Sequence, residues 1–171
     1  MKMEILGHIL GAVSVLLFVS SYQLFDKKKL LLVQTAATVM MSLQYLCLGA
    51  YSGLILSGLC IVRNVVYYKR DSVKLFRSRA IPFLFGAAMV VCSIFAWDGW
   101  HSIFILAGIA GNTVCMGLFD AQGLRKSILF THPMIFTYNC FEGAVAGAIN
   151  EGVSIISAAV GIIRYNKSKK K

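Results

Sequence analysis

The stretch GAYSGLILSG at residues 49–58 recurs as GAVAGAINEG at residues 143–152, and both copies follow the pattern G-A-x-x-G-x-I-x-x-G. Each copy lies between two apolar segments, where glycines permit a tight turn that folds one helix back on the next. At the same spacing of ninety-four positions, the tripeptide LFD recurs at residues 24–26 and 118–120, and Arg70 aligns with Arg164. We therefore expect an internal duplication in which each unit contains a helical hairpin.

The composition excludes an ordinary soluble domain. Hydrophobic residues make up 58% of the 171 residues and charged residues 14%, and the mean hydropathy is +0.74. Only a lipid bilayer can accommodate so large an apolar fraction in a chain of this length. The five cysteines lie in or beside apolar runs without metal-ligand spacing, so we expect small apolar side chains and no metal or cofactor.

Seven apolar segments are long enough to be membrane-spanning helices, since a hydrocarbon core of about 30 Å is crossed by roughly 20 helical residues. They cover residues 3–25, 30–49, 51–68, 81–97, 101–119, 127–145 and 147–163. The first segment has a cleaved signal peptide as its alternative. Because its lysines follow the apolar run at residues 27–29 rather than precede it, we interpret it as helix 1.

The basic residues predict the orientation, because Lys and Arg in short loops remain on the cytoplasmic side. They cluster at residues 27–29, 69–79, 125–126 and 164–171, which all fall on one side of a seven-helix arrangement. The other side receives Lys2, Glu4, Asp98 and Glu151. This predicts an N-terminus outside and a C-terminus in the cytoplasm. The net charge of +10 is thus explained by the membrane topology, and no nucleic-acid partner is needed to account for it. The basic tail could also contact anionic lipid.

The duplication has a consequence for the architecture. Because each unit has three helices, two units joined directly would have opposite orientations in the membrane. Helix 4 between them gives both units the same orientation. The expected fold is therefore an all-α integral membrane protein with two parallel triple-helix bundles joined by a linker helix (3+1+3). The units cover residues 1–70 and 99–171, with the basic loop and helix 4 at 71–98. Parallel repeats of this kind occur in secondary transporters.

This layout resembles the superfamily of SWEET and nicotinamide riboside (PnuC-type) transporters. Over its whole length, through the LFD tripeptide with its lysine run and the GAYSG turn, the chain is similar to the YgjV-type bacterial inner membrane proteins. The resemblance implies an inner-membrane location. It also implies a substrate contact for Asn64, since SWEET-like proteins use an asparagine on the third helix of each repeat; the second repeat has Ala158 there.

Polar side chains inside the predicted helices are the candidates for a binding site, because they are costly in hydrocarbon without a partner. The large ones on helices 2, 5 and 6 are Gln34, Tyr45, Asn112, Tyr138 and Asn139. The repeat aligns Tyr45 with Asn139, so the two polar stripes are expected to line one cavity. The smaller Thr35, Thr38, Ser42 and Thr131 fit interhelical hydrogen bonds better.

Three of the ionisable residues within the predicted helices are relevant to function. His132 and Glu142 are candidates for coupling transport to protons. Arg63 is expected to extend to the cytoplasmic interface, with anion binding as the alternative.

The pattern as a whole favours a transporter of a small neutral polar solute, such as a sugar, a nucleoside-like or a vitamin-like compound. The alternative is a scaffold protein that binds a partner through its basic cytoplasmic loops. The usual catalytic signatures are absent from the sequence, so an enzyme is not expected. The expected partners are the lipid bilayer and a small-molecule substrate, and a homo-oligomer remains open.

Overall fold

The computed structural model describes residues 2–49, 51–95, 97, 99–143 and 145–169. Within these ranges the chain forms seven α-helices and one 3-10 turn, without a strand. The helices are α1 Lys2–Ser21, α2 Lys27–Leu48, α3 Tyr51–Tyr68, α4 Ala80–Phe95, α5 Ser102–Leu118, α6 Ala121–Phe141 and α7 Val145–Lys169, and the turn is Lys74–Arg77. The expected all-helical architecture is confirmed.

Two aspartates at equivalent places in the chain begin the second helix of each half. Asp26 Oδ1 accepts a hydrogen bond from the Lys29 amide at 2.9 Å, and Asp120 Oδ1 accepts one from the Gly123 amide at 2.8 Å. A side-chain acceptor of this kind satisfies an amide of the first helical turn that has no partner within the helix. The same bond from Lys29 lowers the pKa of Asp26 below its usual value.

These caps correct two predicted boundaries. Helix α2 begins three residues before its predicted start, and α6 begins six residues before. Arg125 and Lys126 were therefore wrongly predicted to lie in a loop, because both belong to α6. The side chain of Arg125 is completely buried, whereas Lys126 is exposed.

Each glycine-bearing stretch begins with a glycine that follows α2 or α6 and continues into α3 or α7. Gly49 and Gly143 have φ angles of +70° and +65°, a left-handed conformation that glycine adopts without steric cost. Four residues later, a side chain at Gly53 would clash with the ring of Tyr45 at 3.0 Å. A side chain at Gly147 would likewise come within 2.8 Å of Asn139 Oδ1.

The distribution of polarity is the inverse of that in a soluble protein. Large apolar side chains are exposed around the helices, among them Leu16, Ile55, Phe83, Phe130 and Ile156, whereas Ser14, Thr38, Asn64, Thr113, Ser154 and Ser157 are buried. Helices Lys27–Leu48 and Gly147–Lys167 are long and apolar enough to cross a membrane by length and composition, and four further apolar helices are shorter. An apolar exterior around a polar interior suits a surface that faces hydrocarbon.

Consecutive helices pack on one another from α1 to α3 and from α4 to α7, and α7 also contacts α1. Hydrogen bonds connect the two halves. The Arg70 guanidinium on the loop after α3 donates to the Gly117 carbonyl of α5. At the equivalent positions, Arg164 of α7 donates to Gln23 Oε1 at 3.0 Å. The loop after α3 is thus joined to α5, and α7 is joined to the turn after α1.

One apolar core closes the end of the molecule that carries the lysines and arginines. It contains Tyr22, Leu30, Leu31, Tyr67, Met116, Ala121, Leu124, Ile128 and Ala158. Beside this core, the Arg125 guanidinium donates to the carbonyls of Tyr22, at 2.6 Å, and of Leu24. Arg125 therefore fixes the start of α6 to the turn between α1 and α2.

Candidate functional site

A cavity of about 310 Å³ lies between six of the seven helices, with α4 outside it. Its lining residues are Phe18, Tyr22, Gln34, Thr38, Met41, Tyr45, Gly53, Leu56, Ser57, Cys60, Arg63, Ile105, Ile109, Asn112, Met116, His132, Ile135, Asn150, Glu151 and Ser154. At one end it reaches Tyr22 and Met116, which also belong to the apolar core. The lining extends from there to Gly53, in the first turn of α3.

Many residues of this lining are ninety-four positions apart in the sequence. Fourteen of the twenty residues form pairs that are ninety-four positions apart: Phe18 and Asn112, Tyr22 and Met116, Thr38 and His132, Met41 and Ile135, Leu56 and Asn150, Ser57 and Glu151, Cys60 and Ser154. The residue types differ within each pair. The ninety-four-residue spacing of the glycine stretches therefore also relates residues that line the cavity.

Several polar groups of the lining have no hydrogen-bond partner among the described residues. These buried atoms are Gln34 Oε1, Asn112 Oδ1, Asn150 Oδ1, Glu151 Oε2 and both ring nitrogens of His132. A buried polar atom without a partner costs about 1–3 kcal/mol. Groups of this kind that converge on a cavity are available to hydrogen-bond a solute or water.

Arg63 is one of the ionisable residues of the lining, and only 7% of its surface is exposed. Its Nη1 donates to Thr113 Oγ1 at 2.9 Å, and its Nε and Nη2 donate to Asn64 Oδ1 at 3.1 and 2.9 Å. Both acceptors are uncharged. The side chain is thus held inward between α3 and α5, which corrects the expectation that it extends to the interface.

His132 and Glu151 face each other across α6 and α7. His132 Nδ1 lies 2.6 Å from Glu151 Oε2, and the two side chains are 8% and 12% exposed. The approach is close, but these two atoms do not meet in hydrogen-bonding geometry, so we describe it as a close contact between an acid and a base. The sequence assigned Glu151 to the external side, near the start of helix 7, and did not name it as a site residue; in the structure it lies in α7 and lines the cavity.

Four of the predicted site residues line the cavity, namely Gln34, Tyr45, Asn112 and His132. Asn64 is buried behind the lining, where it holds Arg63. Asn139 of α6 packs on Gly147 of α7, and the ring of Tyr138 lies 5.9 Å from that of His101.

Glu142 also lies outside the lining, at the end of α6. Its Oε1 is 2.5 Å from His101 Nε2. The histidine of the cavity was thus predicted from the sequence, but its carboxylate was missed. The ninety-four-residue spacing offered a signal, since it relates Glu151 to Ser57, which also lines the cavity.

The sequence of this chain matches a known protein family. A family model described as bacterial inner membrane protein (Imp-YgjV) matches residues 5–169. The chain belongs to the YgjV family. Location in the bacterial inner membrane agrees with the apolar exterior of the helices. No curated protein matches this family member, and no solved structure does.

A second cavity, of about 430 Å³, lies at the basic end of this inner membrane protein. It is lined by Lys27, Lys28, Leu31, Tyr67, Arg70, Asp71, Arg77, Arg79 and Leu118. This cavity is larger than the inner cavity. Its lining charges lie at the end of the molecule, and Lys28 and Asp71 are mostly exposed. Such groups keep much of their hydration, so we assign the solute site to the inner cavity.

Proposed function

We propose that this protein carries a small polar solute across the bacterial inner membrane through the inner cavity. The observation that supports this most is the set of polar atoms without a hydrogen-bond partner around one cavity, on Gln34, Asn112, Asn150 and His132 Nε2. At about 30 Å³ for each water-sized group, the cavity has room for roughly ten such groups. That is the size of a small metabolite.

The pairing of lining positions supports a 3+1+3 arrangement with the cavity on the axis between the halves. Transporters built from parallel repeats bind substrate at such an interface and expose it by rocking one half against the other. The apolar core around Leu124 and the Arg125 hydrogen bonds close the basic end. With that end in the cytoplasm, as the positive-inside rule predicts, the structure corresponds to a state closed toward the cytoplasm.

A second candidate function has an observation of its own. The basic cavity gathers Lys27, Arg70, Arg77 and Arg79 at the end assigned to the cytoplasm. A scaffold protein could use such a surface to bind an acidic partner or anionic lipid. It would not require unpartnered amides around an inner cavity, which is why we favour transport.

Uptake by purified protein in liposomes tests the proposal, with a panel of labelled polar solutes of about ten non-hydrogen atoms. We expect saturable uptake for at least one class and its loss in Asn112→Leu, which removes an amide from the lining. Thr35→Val is the matched control, because Thr35 bonds only to the Leu31 carbonyl of its own helix at 2.7 Å and does not line the cavity. It should leave uptake unchanged.

The two functions predict opposite results for a second pair of variants. Replacing Arg77 and Arg79 with Gln should leave uptake intact if the inner cavity carries the function. If no solute shows saturable uptake, or if Asn112→Leu transports as well as Thr35→Val, the transport proposal is wrong. Loss of function only in the Arg77 and Arg79 variant would favour the scaffold.

A further inference from the structure

The charges of the inner cavity indicate which class of solute it binds. The neutral cargo expected from the sequence depended on placing Arg63 at the interface and Glu151 outside, and the structure brings both to the cavity. The inference below rests on the proposed transport function and narrows its cargo.

Arg63 presents a positive charge that its own contacts do not neutralise. Its acceptors, Thr113 and Asn64, are uncharged, and no ion pair joins it to a carboxylate in the described ranges. A guanidinium has five N–H donors, and these contacts use three. The remaining two are suited to a carboxylate, which arginine binds through parallel hydrogen bonds.

The other two ionisable groups form an acid–base pair that occurs in one half only. His132 and Glu151 lie 2.6 Å apart, whereas the equivalent positions hold Thr38 and Ser57. The other titratable groups of the lining are Tyr22, Tyr45 and Cys60, on the turn after α1, on α2 and on α3, while α5 contributes none. His132 and Glu151 are thus the acid–base pair of the lining, and histidine is the side chain whose ordinary pKa lies nearest neutral pH.

The charges of Arg63, Glu151 and His132 indicate how many protons bind together with one anion. With neutral His132, the positive Arg63 and the negative Glu151 cancel. A proton on His132 gives an imidazolium paired with Glu151, so that Arg63 is left uncompensated. Because charge is costly in a low-dielectric cavity, this protonated state favours one negative charge from the solute.

We propose that the cavity binds a small organic anion with a single carboxylate, together with one proton held by the His132–Glu151 pair. The carboxylate binds at Arg63, and the amides of Gln34, Asn112 and Asn150 are available to its polar groups. The empty and the loaded sites then carry the same net charge. Release reverses the step, since loss of the proton from His132 restores the Glu151 charge and weakens the hold on the anion.

Ligand binding to the purified full-length protein in detergent tests this inference separately from flux. The probes are monocarboxylates paired with neutral counterparts: D-glucuronate with D-glucose, lactate with lactamide, and benzoate with benzamide. Thermal unfolding midpoints, measured at about pH 6 and pH 8, report apparent affinity. We expect at least one carboxylate to bind at pH 6, with its affinity falling by up to about tenfold per pH unit toward alkaline pH.

Two substitutions should change this pH dependence in different ways. Glu151→Gln leaves Arg63 permanently uncompensated, so the anion should bind at pH 8 about as tightly as it binds wild type at pH 6. Glu142→Gln is the matched control, because Glu142 pairs with His101 outside the cavity. It should retain the wild-type pH dependence.

A third substitution, Arg63→Gln, should abolish anion binding. Should it fail to fold, the Glu151→Gln and Glu142→Gln pair still decides the matter. The inference is overturned if no carboxylate binds, if affinity is equal at the two pH values, or if Glu151→Gln behaves like Glu142→Gln. Binding of the neutral counterparts alone would also overturn it, but would leave the proposed transport of polar solutes standing.

Discussion

Replacing Arg125 should destabilise the protein strongly, although the sequence suggested an exposed loop residue. Its guanidinium is fully buried and donates to the Tyr22 carbonyl, the Leu24 carbonyl and Gln122 Oε1. Arg125→Met keeps most of the apolar stem and leaves two main-chain carbonyls without donors. At about 1–3 kcal/mol for each carbonyl, partly offset by removal of a buried charge, the expected loss is about 2–4 kcal/mol.

The neighbouring Lys126 provides the control, because it lies on the same helix with an exposed side chain. Lys126→Met should change stability by less than about 0.5 kcal/mol. Unfolding by SDS titration in mixed micelles, followed by circular dichroism, measures both variants. Equal effects of the two substitutions would refute the buried position of Arg125 and its role in joining α6 to the turn after α1.

Two further predictions concern helix packing and capping. A side chain at Gly108 would meet the Thr131 carbonyl at 2.9 Å, whereas nothing lies within 4 Å of a side chain at Gly58. In the same SDS titration, Gly108→Ala should lower the free energy of unfolding by about 1–3 kcal/mol, and Gly58→Ala should raise it by up to about 1 kcal/mol. The reverse order would contradict the packing of α5 on α6. The pKa of Asp26 is lowered chiefly by the Lys29 amide, so its stabilisation is present above about pH 4 and lost as the pH falls through the lowered pKa. Thermal unfolding should therefore show wild type losing more stability than Asp26→Asn between about pH 6 and pH 3, and parallel losses would contradict the cap.

The sequence predicted the features that local chemistry and the ninety-four-residue spacing determine. The turns at Gly49 and Gly143 follow from left-handed glycines between apolar segments. The LFD tripeptides mark the starts of α2 and α6, although the predicted helices began later because the following lysines, and Gly123 with Arg125, resemble loop residues. An aspartate that caps the helix was the missed signal in both places.

The charged residues of the interior could not be placed from sequence. Arg125, Arg63 and Glu151 were expected at the membrane surface, since a charge in hydrocarbon is normally excluded. Each is accommodated by partners distant in sequence: the Tyr22 carbonyl, Thr113 and His132. No local sequence pattern indicates such partners. Asn139 was predicted to line the cavity with Tyr45. Tyr45 lies against Gly53 and Asn139 against Gly147, and of the two only Tyr45 also lines the cavity.

The central claim is that polar solutes and water reach the inner cavity, and a native cysteine tests it directly. Cys60 lines the cavity, whereas Cys92 lies on α4 outside it, and both thiols are free and half-buried. A small water-soluble methanethiosulfonate reagent reacts with thiolates, which form only where water is present. Variants that retain one of these cysteines should show rapid modification of Cys60 and slow modification of Cys92. Equal and slow modification of both would show that the cavity is closed to water and would contradict the account.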